Sequence, residues 1–300
     1  MREATNDAAP ADASTLGSPP QESPIKVTLS SASVYPRKVA YAFQLAAELG
    51  FDGVEVMVWS DSTTQDDNAL THLAAEYGVA IRSIHAPTLL VSQNVWGGKP
   101  GPKLAKAVDM AHSLGAGTVV VHPPFAWQRK YSRQFVDQVQ QLTDESGLTV
   151  AVENMYPWRS KRRDYGAYLP GWDPTEHAYD AVTLDLSHAA TARQDSLEMV
   201  KAFGDRLRHV HLADGSGSNK DEHLVPGRGA QPCKDVLRHL LRTGWSGDVV
   251  VEIGTRKART AAERREDVAT SLAFARTYLT PGEHGDITVP PAHHRPADAW

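Results

Sequence analysis

Two neighbouring stretches of the sequence place metal-binding side-chain types two residues apart. Leu207-Arg208-His209-Val210-His211-Leu212-Ala213-Asp214 reads as a buried strand, so His209 and His211 leave the same face of the pleat. The polar loop after it ends Asp221-Glu222-His223-Leu224-Val225-Pro226-Gly227-Arg228-Gly229, with an acid and an imidazole again two apart. His85, His122, Glu153, Asp185 with His188, and Glu252 follow short β-branched or apolar runs elsewhere. Imidazole nitrogen and carboxylate oxygen are the usual protein ligands for zinc and comparable divalent ions. Cys233 is the single cysteine, which excludes an intrachain disulfide framework and a cysteine-based zinc site. Any metal must therefore be held by His and carboxylate. The chain has 13 His, so their positions carry information. His72, His112, His177 and His239 fall on helices or their approaches, and His284, His293 and His294 fall near the C-terminus; these read as structural or adventitious.

The elements that would position these groups alternate regularly. Strand candidates are Val27–Ser31, Gly53–Trp59, Ala80–His85, Thr118–His122, Leu148–Asn154, Ala181–Leu186, Leu207–Asp214 and Asp248–Ile253. Runs such as Thr118-Val119-Val120-Val121 have the unbroken β-branched character of a parallel sheet covered on both faces. Between them lie helices with apolar residues three and four apart, several ending at glycine: Pro36 to Leu49 before Gly50, Asn68 to Tyr77 before Gly78, Lys103 to Leu114 before Gly115. Further helices span Ser132–Leu142, Leu197–Phe203, Lys234–Leu241 and Ala261–Tyr278. Between the fifth and sixth strands only Pro174 to Asp180 is free for a helix, so the fifth helix is short or replaced by a loop. Eight strand–helix units over about 255 residues predict a single-domain α/β fold, the (β/α)8 TIM barrel, over residues 25–280. No glycine-rich phosphate-binding motif follows the first strand, which removes the commonest open-sheet alternatives. Residues 1–24 read as a disordered N-terminal tail and 281–300 as a flexible C-terminal one.

In such a barrel the C-terminal strand ends meet at one mouth, where active sites of this fold are built. A strand-end histidine taken alone is more often a satisfied core residue than a ligand. Convergence changes that balance, because six strand ends deliver His or carboxylate to the same cup, and acids gathered there need a compensating cation. The formal net charge of −5 gives no basic surface for gripping nucleic acid, although a local patch could exist. No apolar run is long enough to span a membrane, and the N-terminus lacks the apolar stretch of a signal peptide; cytoplasmic is the default expectation.

The ordered run His85-Ala86-Pro87, His122-Pro123-Pro124, Val152-Glu153-Asn154, Leu184-Asp185-Leu186-Ser187-His188, His211-Leu212-Ala213-Asp214, Asp221-Glu222-His223 and Val251-Glu252 resembles the xylose isomerase-like TIM-barrel superfamily over residues 26–279. Two activities follow from that resemblance. In its ketose 3-epimerases one divalent ion (Mn, Mg, Co or Zn) is held by the residues matching Glu153, Asp185, His211 and Glu252. The two glutamates are then the catalytic acid and base, exchanging a proton beside a carbonyl through an enediolate, while His188 contacts a sugar hydroxyl. In its endonuclease IV branch the matches to His85, His122, Glu153, Asp185, His188, His211, Asp221, His223 and Glu252 hold three zinc ions that hydrolyse a phosphodiester in abasic DNA. The residue types fit both. The acidic net charge and the residues after Glu153 and Asp185 favour an isomerase or epimerase of a sugar, sugar phosphate or polyol. A non-catalytic metal- or sugar-binding barrel is the third alternative.

The remaining expectations concern the substrate and partners. Gly227-Arg228-Gly229 stands where many relatives have Gly-Glu-Gly, which puts a positive charge near the mouth and makes Arg228 a substrate-binding candidate. Trp59 and Trp127 follow the second and fourth strands and could wall a sugar face, as could Trp96 after the third. The basic, aromatic segment Arg159 to Tyr168 reads equally as a lid or a solvated charge run. His209 lies deeper than His211 and fits a supporting role, and Asp214 could orient a ligand histidine. The expected partner is a small carbohydrate, with neither membrane nor, on charge, nucleic acid; a homo-oligomer is compatible with exposed barrel helices.

Overall fold

The structure, a computed structural model, describes residues 24–88, 92–159, 164–282 and 285–292. Eight parallel strands close a barrel: β1 (Ile25–Ser30), β2 (Val54–Met57), β3 (Ile81–His85), β4 (Thr118–Val121), β5 (Thr149–Glu153), β6 (Val182–Asp185), β7 (Leu207–Leu212) and β8 (Gly247–Val251). Neighbours in sequence are neighbours in the sheet, and β1 pairs with β8 to complete the ring. The expected (β/α)8 barrel is the observed fold.

Around it run α1 (Val39–Leu49), α2 (Asp67–Tyr77), α3 (Pro100–Leu114), α4 (Phe135–Ser146), α5 (Leu186–Ala192), α6 (Ser196–Phe203), α7 (Cys233–Arg242) and α8 (Ala261–Tyr278). Gly50, Gly78 and Gly115 end their helices in the left-handed conformation, where a Cβ is costly. Val27, Leu29, Val54, Val56, Val119, Val121, Val150, Val152, Val249 and Val251 pack with apolar faces of the helices into one buried core. Between β5 and β6, where a short helix or a loop is expected, lie a two-residue antiparallel pairing, Trp158–Arg159 with Asp164–Tyr165, and a 3-10 turn, Pro174–Glu176. Residues 160–163 of the segment Arg159 to Tyr168, read as either a lid or a solvated charge run, lie outside the described residues.

Residues 1–23 of the expected N-terminal tail also lie outside them. Residues 285–292, from the expected C-terminal tail, lie against the barrel: Ile287 and Val289 pack on the core, Asp286 pairs with Lys234, and the Ile287 amide donates to the Tyr278 hydroxyl at 3.1 Å. Apolar burial at two positions explains why this stretch does not simply follow its polar, Pro-rich composition.

The barrel interior is less apolar than the strands imply. Thr28, Glu55, Ser83, Thr183 and His209 are fully buried, below the strand ends that carry Glu153, Asp185, His211 and Glu252. Barrel interiors are ordinarily filled by Val, Ile and Leu. A polar layer directly beneath the mouth therefore needs a reason, which lies in the site above it.

Candidate metal centre at the barrel mouth

Glu153, the last residue of β5, is the hub of the mouth. Its Oε2 lies 2.7 Å from His122 Nε2 and 3.1 Å from His85 Nε2. Its Oε1 lies 3.1 Å from His211 Nδ1 and 3.2 Å from His188 Nδ1. His211 Nδ1 also faces Glu252 Oε2 at 2.8 Å and Asp185 Oδ2 at 3.6 Å. Asp221 forms a second lobe: its Oδ2 lies 3.2 Å from His188 Nε2 and 3.1 Å from His223 Nε2, and its Oδ1 accepts from Ser187 Oγ at 2.7 Å. His223 Nδ1 reaches back to Asp185 Oδ2 at 4.0 Å and donates to the Glu252 carbonyl at 2.8 Å. All nine residues expected at the mouth thus join one network, and Glu153, Asp185 and His188 link its lobes.

Local structure fixes these positions. Asp185 ends β6 and caps α5, its Oδ1 accepting from the His188 amide at 2.7 Å, which brings His188 back over the mouth. Asn154 pins Asp185 from β5, accepting from its amide at 2.7 Å and donating to its carbonyl at 3.0 Å. Asp214, expected to orient a ligand histidine, instead gathers the loop after β7. Its carboxylate accepts from the amides of Gly215, Gly227, Gly229 and Gln231 at 2.8–3.0 Å. A short buried acid after a strand meets backbone amides before it can reach a side chain across the mouth, and four bonds leave no lone pair for an imidazole. A Cβ at Gly229 would collide with this carboxylate, so the turn requires glycine. His223 has a left-handed backbone, φ 44°, held by its amide donating to Ser187 Oγ and its carbonyl accepting from Gly254.

The electrostatics follow from burial and pairing. Burial works against ionised Glu153, but His122 and His211 hold its carboxyl well below the usual range. Burial likewise opposes charge on Asp221, and His223 and His188 overcome it. Against burial, Asp185 and Asp221 raise His188 well above the ordinary imidazole value, and Glu252, Glu55 and Glu153 do the same for His211. His223 is pushed up to about 10, burial being outweighed by Asp221 and Asp185. His122 goes the other way, because its burial outweighs Glu153. Protonated imidazoles thus balance the acids, and a divalent cation could take over that charge.

The donor set fits such an ion. Ligand atoms of Asp185, His211 and Glu252 lie within 4.8 Å of one another, as do those of His85, Glu153 and His211, and those of Asp185, His188 and His223. Asp185 is common to two of these groups, and its buried Oδ2 accepts no hydrogen bond among the described residues. A buried carboxylate oxygen left bare is costly. Nitrogen and oxygen donors without sulfur suit Zn, Mn, Co or Mg.

Of the expected substrate contacts, Trp59 stacks on Tyr35 with centroids 5.5 Å apart and lines a cavity of about 230 Å³ with Ser31, Met57 and Thr64. Ser30, the chain neighbour of the cavity-lining Ser31, donates its hydroxyl to Glu252 Oε1 at 3.5 Å. Trp127 stacks face to face on Phe125 at 4.6 Å, in an aromatic cluster with Trp158 and Tyr168 after β4 and β5. Trp96 instead packs under Lys106. Arg228 is engaged elsewhere: its guanidinium pairs with Asp267 of α8 at 2.7 Å and donates to the Pro290 carbonyl at 2.7 Å. The positive charge expected at the mouth is thereby neutralised on the barrel's outer layer.

Glu55 was not singled out by sequence pattern. It is buried in β2, 2.8 Å from His209 Nε2 and 3.1 Å from His211 Nε2, and it accepts from Ser83 Oγ at 2.7 Å. One signal was available: an acid inside Val54-Glu55-Val56-Met57, a run too apolar for a solvent-facing strand, must have a buried partner. His209 takes the supporting place expected of it, bonded to Glu55.

A family model described as xylose isomerase-like TIM barrel matches residues 43–278. An uncharacterized protein of Mycobacterium leprae (strain TN) is 49% identical over 274 residues, covering 85% of this chain and 98% of that protein. Fructoselysine 3-epimerase of Shigella flexneri is 22% identical over 241 residues, covering 72% of this chain and 86% of the enzyme. Among solved structures, an IolI protein with a bound zinc atom superposes with a TM-score of 0.65 at 18% identity, covering 85% of this chain and 100% of that one.

Proposed function

The chain belongs to the xylose isomerase-like TIM-barrel family, and from that premise we propose that it is a divalent-metal-dependent isomerase or epimerase of a sugar, sugar phosphate or related polyol. The observation that carries this reading is the meeting of Glu153 and Glu252 on one imidazole nitrogen, His211 Nδ1, at 3.1 and 2.8 Å, beside the bare Oδ2 of Asp185. Two glutamates and an aspartate around one histidine form a carboxylate-rich, oxygen-dominated donor set. The similarity to fructoselysine 3-epimerase and to a zinc-containing IolI barrel supports the same reading.

In this proposal Glu153, Asp185, His211 and Glu252 hold the ion. When bound, a divalent ion supplies Lewis acidity to the carbonyl and hydroxyl oxygens of the substrate. The chain supplies the proton chemistry. Glu153, at the hub of the cluster, takes a proton from the carbon beside the carbonyl. For an epimerisation Glu252, entering the step protonated, gives its proton to the opposite face of the same carbon, and exchange with solvent resets the pair. For an isomerisation the proton that Glu153 took goes to the neighbouring carbon. His188, next to Glu153 and Asp221, donates to a substrate hydroxyl. In this reading Trp59 and Trp127 wall the sugar face, and the burial of Glu153, Asp185, His211 and Glu252 limits access of water. Glu153→Gln and Glu252→Gln should each abolish deuterium exchange from solvent into a ketose while circular dichroism stays unchanged. Retained exchange in both variants removes them as the acid–base pair.

A second reading draws on the outer lobe. His188, Asp221 and His223 continue the ligand set through Asp185, as a three-metal phosphodiesterase of the endonuclease IV type requires. The net charge of −5 weighs against a DNA-gripping surface, so this reading stands second.

A further inference from the structure

The polar layer beneath the mouth contains a carboxylate that the proposed reaction does not use. Glu55, Ser83, His209 and His211 are all fully buried. The two oxygens of Glu55 face different partners. Oε2 accepts from Ser83 Oγ at 2.7 Å and contacts His209 Nε2 at 2.8 Å. Oε1 is left facing His211 Nε2 at 3.1 Å. These last two atoms are close but misaligned, and neither makes a hydrogen bond among the described residues. On the far side of the same ring, Nδ1 faces Glu153, Glu252 and Asp185. The imidazole therefore stands between the mouth and one buried acid.

We propose that Glu55 is the positioning residue for His211: it takes the Nε2–H and leaves the Nδ1 lone pair at the mouth for the metal. This rests on the metal-dependent reading above. A histidine whose second nitrogen donates to a carboxylate has a fixed tautomer and ring orientation and is a stronger ligand. Register makes the arrangement possible. β7 carries His209 and His211 two residues apart, so both rings enter the barrel, and Glu55 on β2 reaches them across its interior. Ser83, paired with Glu55 in register on β3, anchors the oxygen that His211 does not need. A role in folding alone would be satisfied by Ser83 and His209; it gives no reason for the second oxygen to face His211. Glu55, His209 and His211 also lie within 4.8 Å of one another and could hold an ion themselves. That arrangement would put metal on Nε2, the opposite nitrogen.

The test is Zn2+ titration of the metal-free full chain against a competing chelator, for wild type, Glu55→Gln and Ser83→Ala, with thermal unfolding of each metal-free protein. Glu55→Gln should weaken Zn2+ binding by about 10–100-fold. Ser83→Ala, which spares the oxygen facing His211, should weaken it less than fivefold. Long-range 15N spectra of the Zn-loaded wild type need no variant, so they decide the matter even if Glu55→Gln does not fold. They should show His211 with Nε2 protonated and Nδ1 shifted by the metal. Zn2+ on Nε2, or affinities for wild type and Glu55→Gln within twofold, overturns the inference while leaving the metal reading intact. A wild type that takes up no Zn2+ overturns both.

Discussion

Asp214 offers the sharpest single perturbation of the loop that carries Asp221 and His223. Its two carboxylate oxygens each accept two backbone amides, Gly215 and Gln231 on Oδ1, Gly227 and Gly229 on Oδ2. Asp214→Asn keeps the size but replaces one oxygen by an NH2, which then points its protons at two amide protons. Two charge-assisted bonds are lost whichever way the amide turns. At about 1.5–3 kcal/mol each, the loss is about 3–6 kcal/mol. A large domain loses roughly 2–4 °C of Tm per kcal/mol, so the variant should melt at least about 6 °C lower. Hydrogen exchange should localise the damage, with one pair of amides, Gly227 and Gly229 or Gly215 and Gln231, losing protection before those of β7. The account of this loop is refuted if Tm falls by less than about 2 °C and all four amides, of Gly215, Gly227, Gly229 and Gln231, keep their wild-type protection.

Two further outcomes follow from the same geometry. Glu55, Glu153 and Asp221 have lowered folded-state values, so their contribution is present above the ordinary carboxylate range, about pH 4, and is lost as pH falls through the folded values. His188, His211 and His223 have raised values, so theirs is complete below about pH 6.5 and is lost as pH rises, for His223 through about 10. Urea midpoints of the metal-free protein should therefore peak between about pH 4.5 and 6.5 and fall towards pH 10, with saturating Zn2+ flattening the alkaline limb; a metal-free midpoint that climbs from pH 7 to 10 contradicts this. Truncation after residue 284 removes the packing of Ile287 and Val289 and the Pro290 carbonyl that holds Arg228. Partial burial of two aliphatic side chains is worth about 2–3 kcal/mol in total. The truncated chain should melt several degrees lower, and an unchanged Tm would show that this segment holds nothing.

The barrel and its mouth were legible because both rest on short-range pattern. Most strands are short β-branched or apolar runs, and Glu153, Asp185, His211 and Glu252 stand at the same point in successive repeats, so topology alone brings them together. Glu55 was not legible in that way. It sits within a strand rather than at its end, and its role depends on His209 and His211, which are 154 and 156 residues away in the chain. Arg228 and Asp214 were misplaced for a related reason. Sequence puts both near the mouth, but which direction a loop side chain takes is decided by partners such as Asp267 and the amides of residues 227–231, fixed only by the folded turn. The anchoring of 285–292 depends on two aliphatic residues in an otherwise polar stretch, too few to stand out by composition.

Metal content read together with proton exchange tests the central claim most directly. The purified chain would be analysed for bound metal, then loaded with Mn2+, Co2+ or Zn2+ and incubated in deuterated water with a panel of ketohexoses and their phosphates. The account predicts one exchangeable ion per chain and deuterium appearing at a carbon beside the carbonyl of at least one sugar. Three tightly held zinc ions, no deuterium in any sugar and nicking of abasic DNA would contradict it.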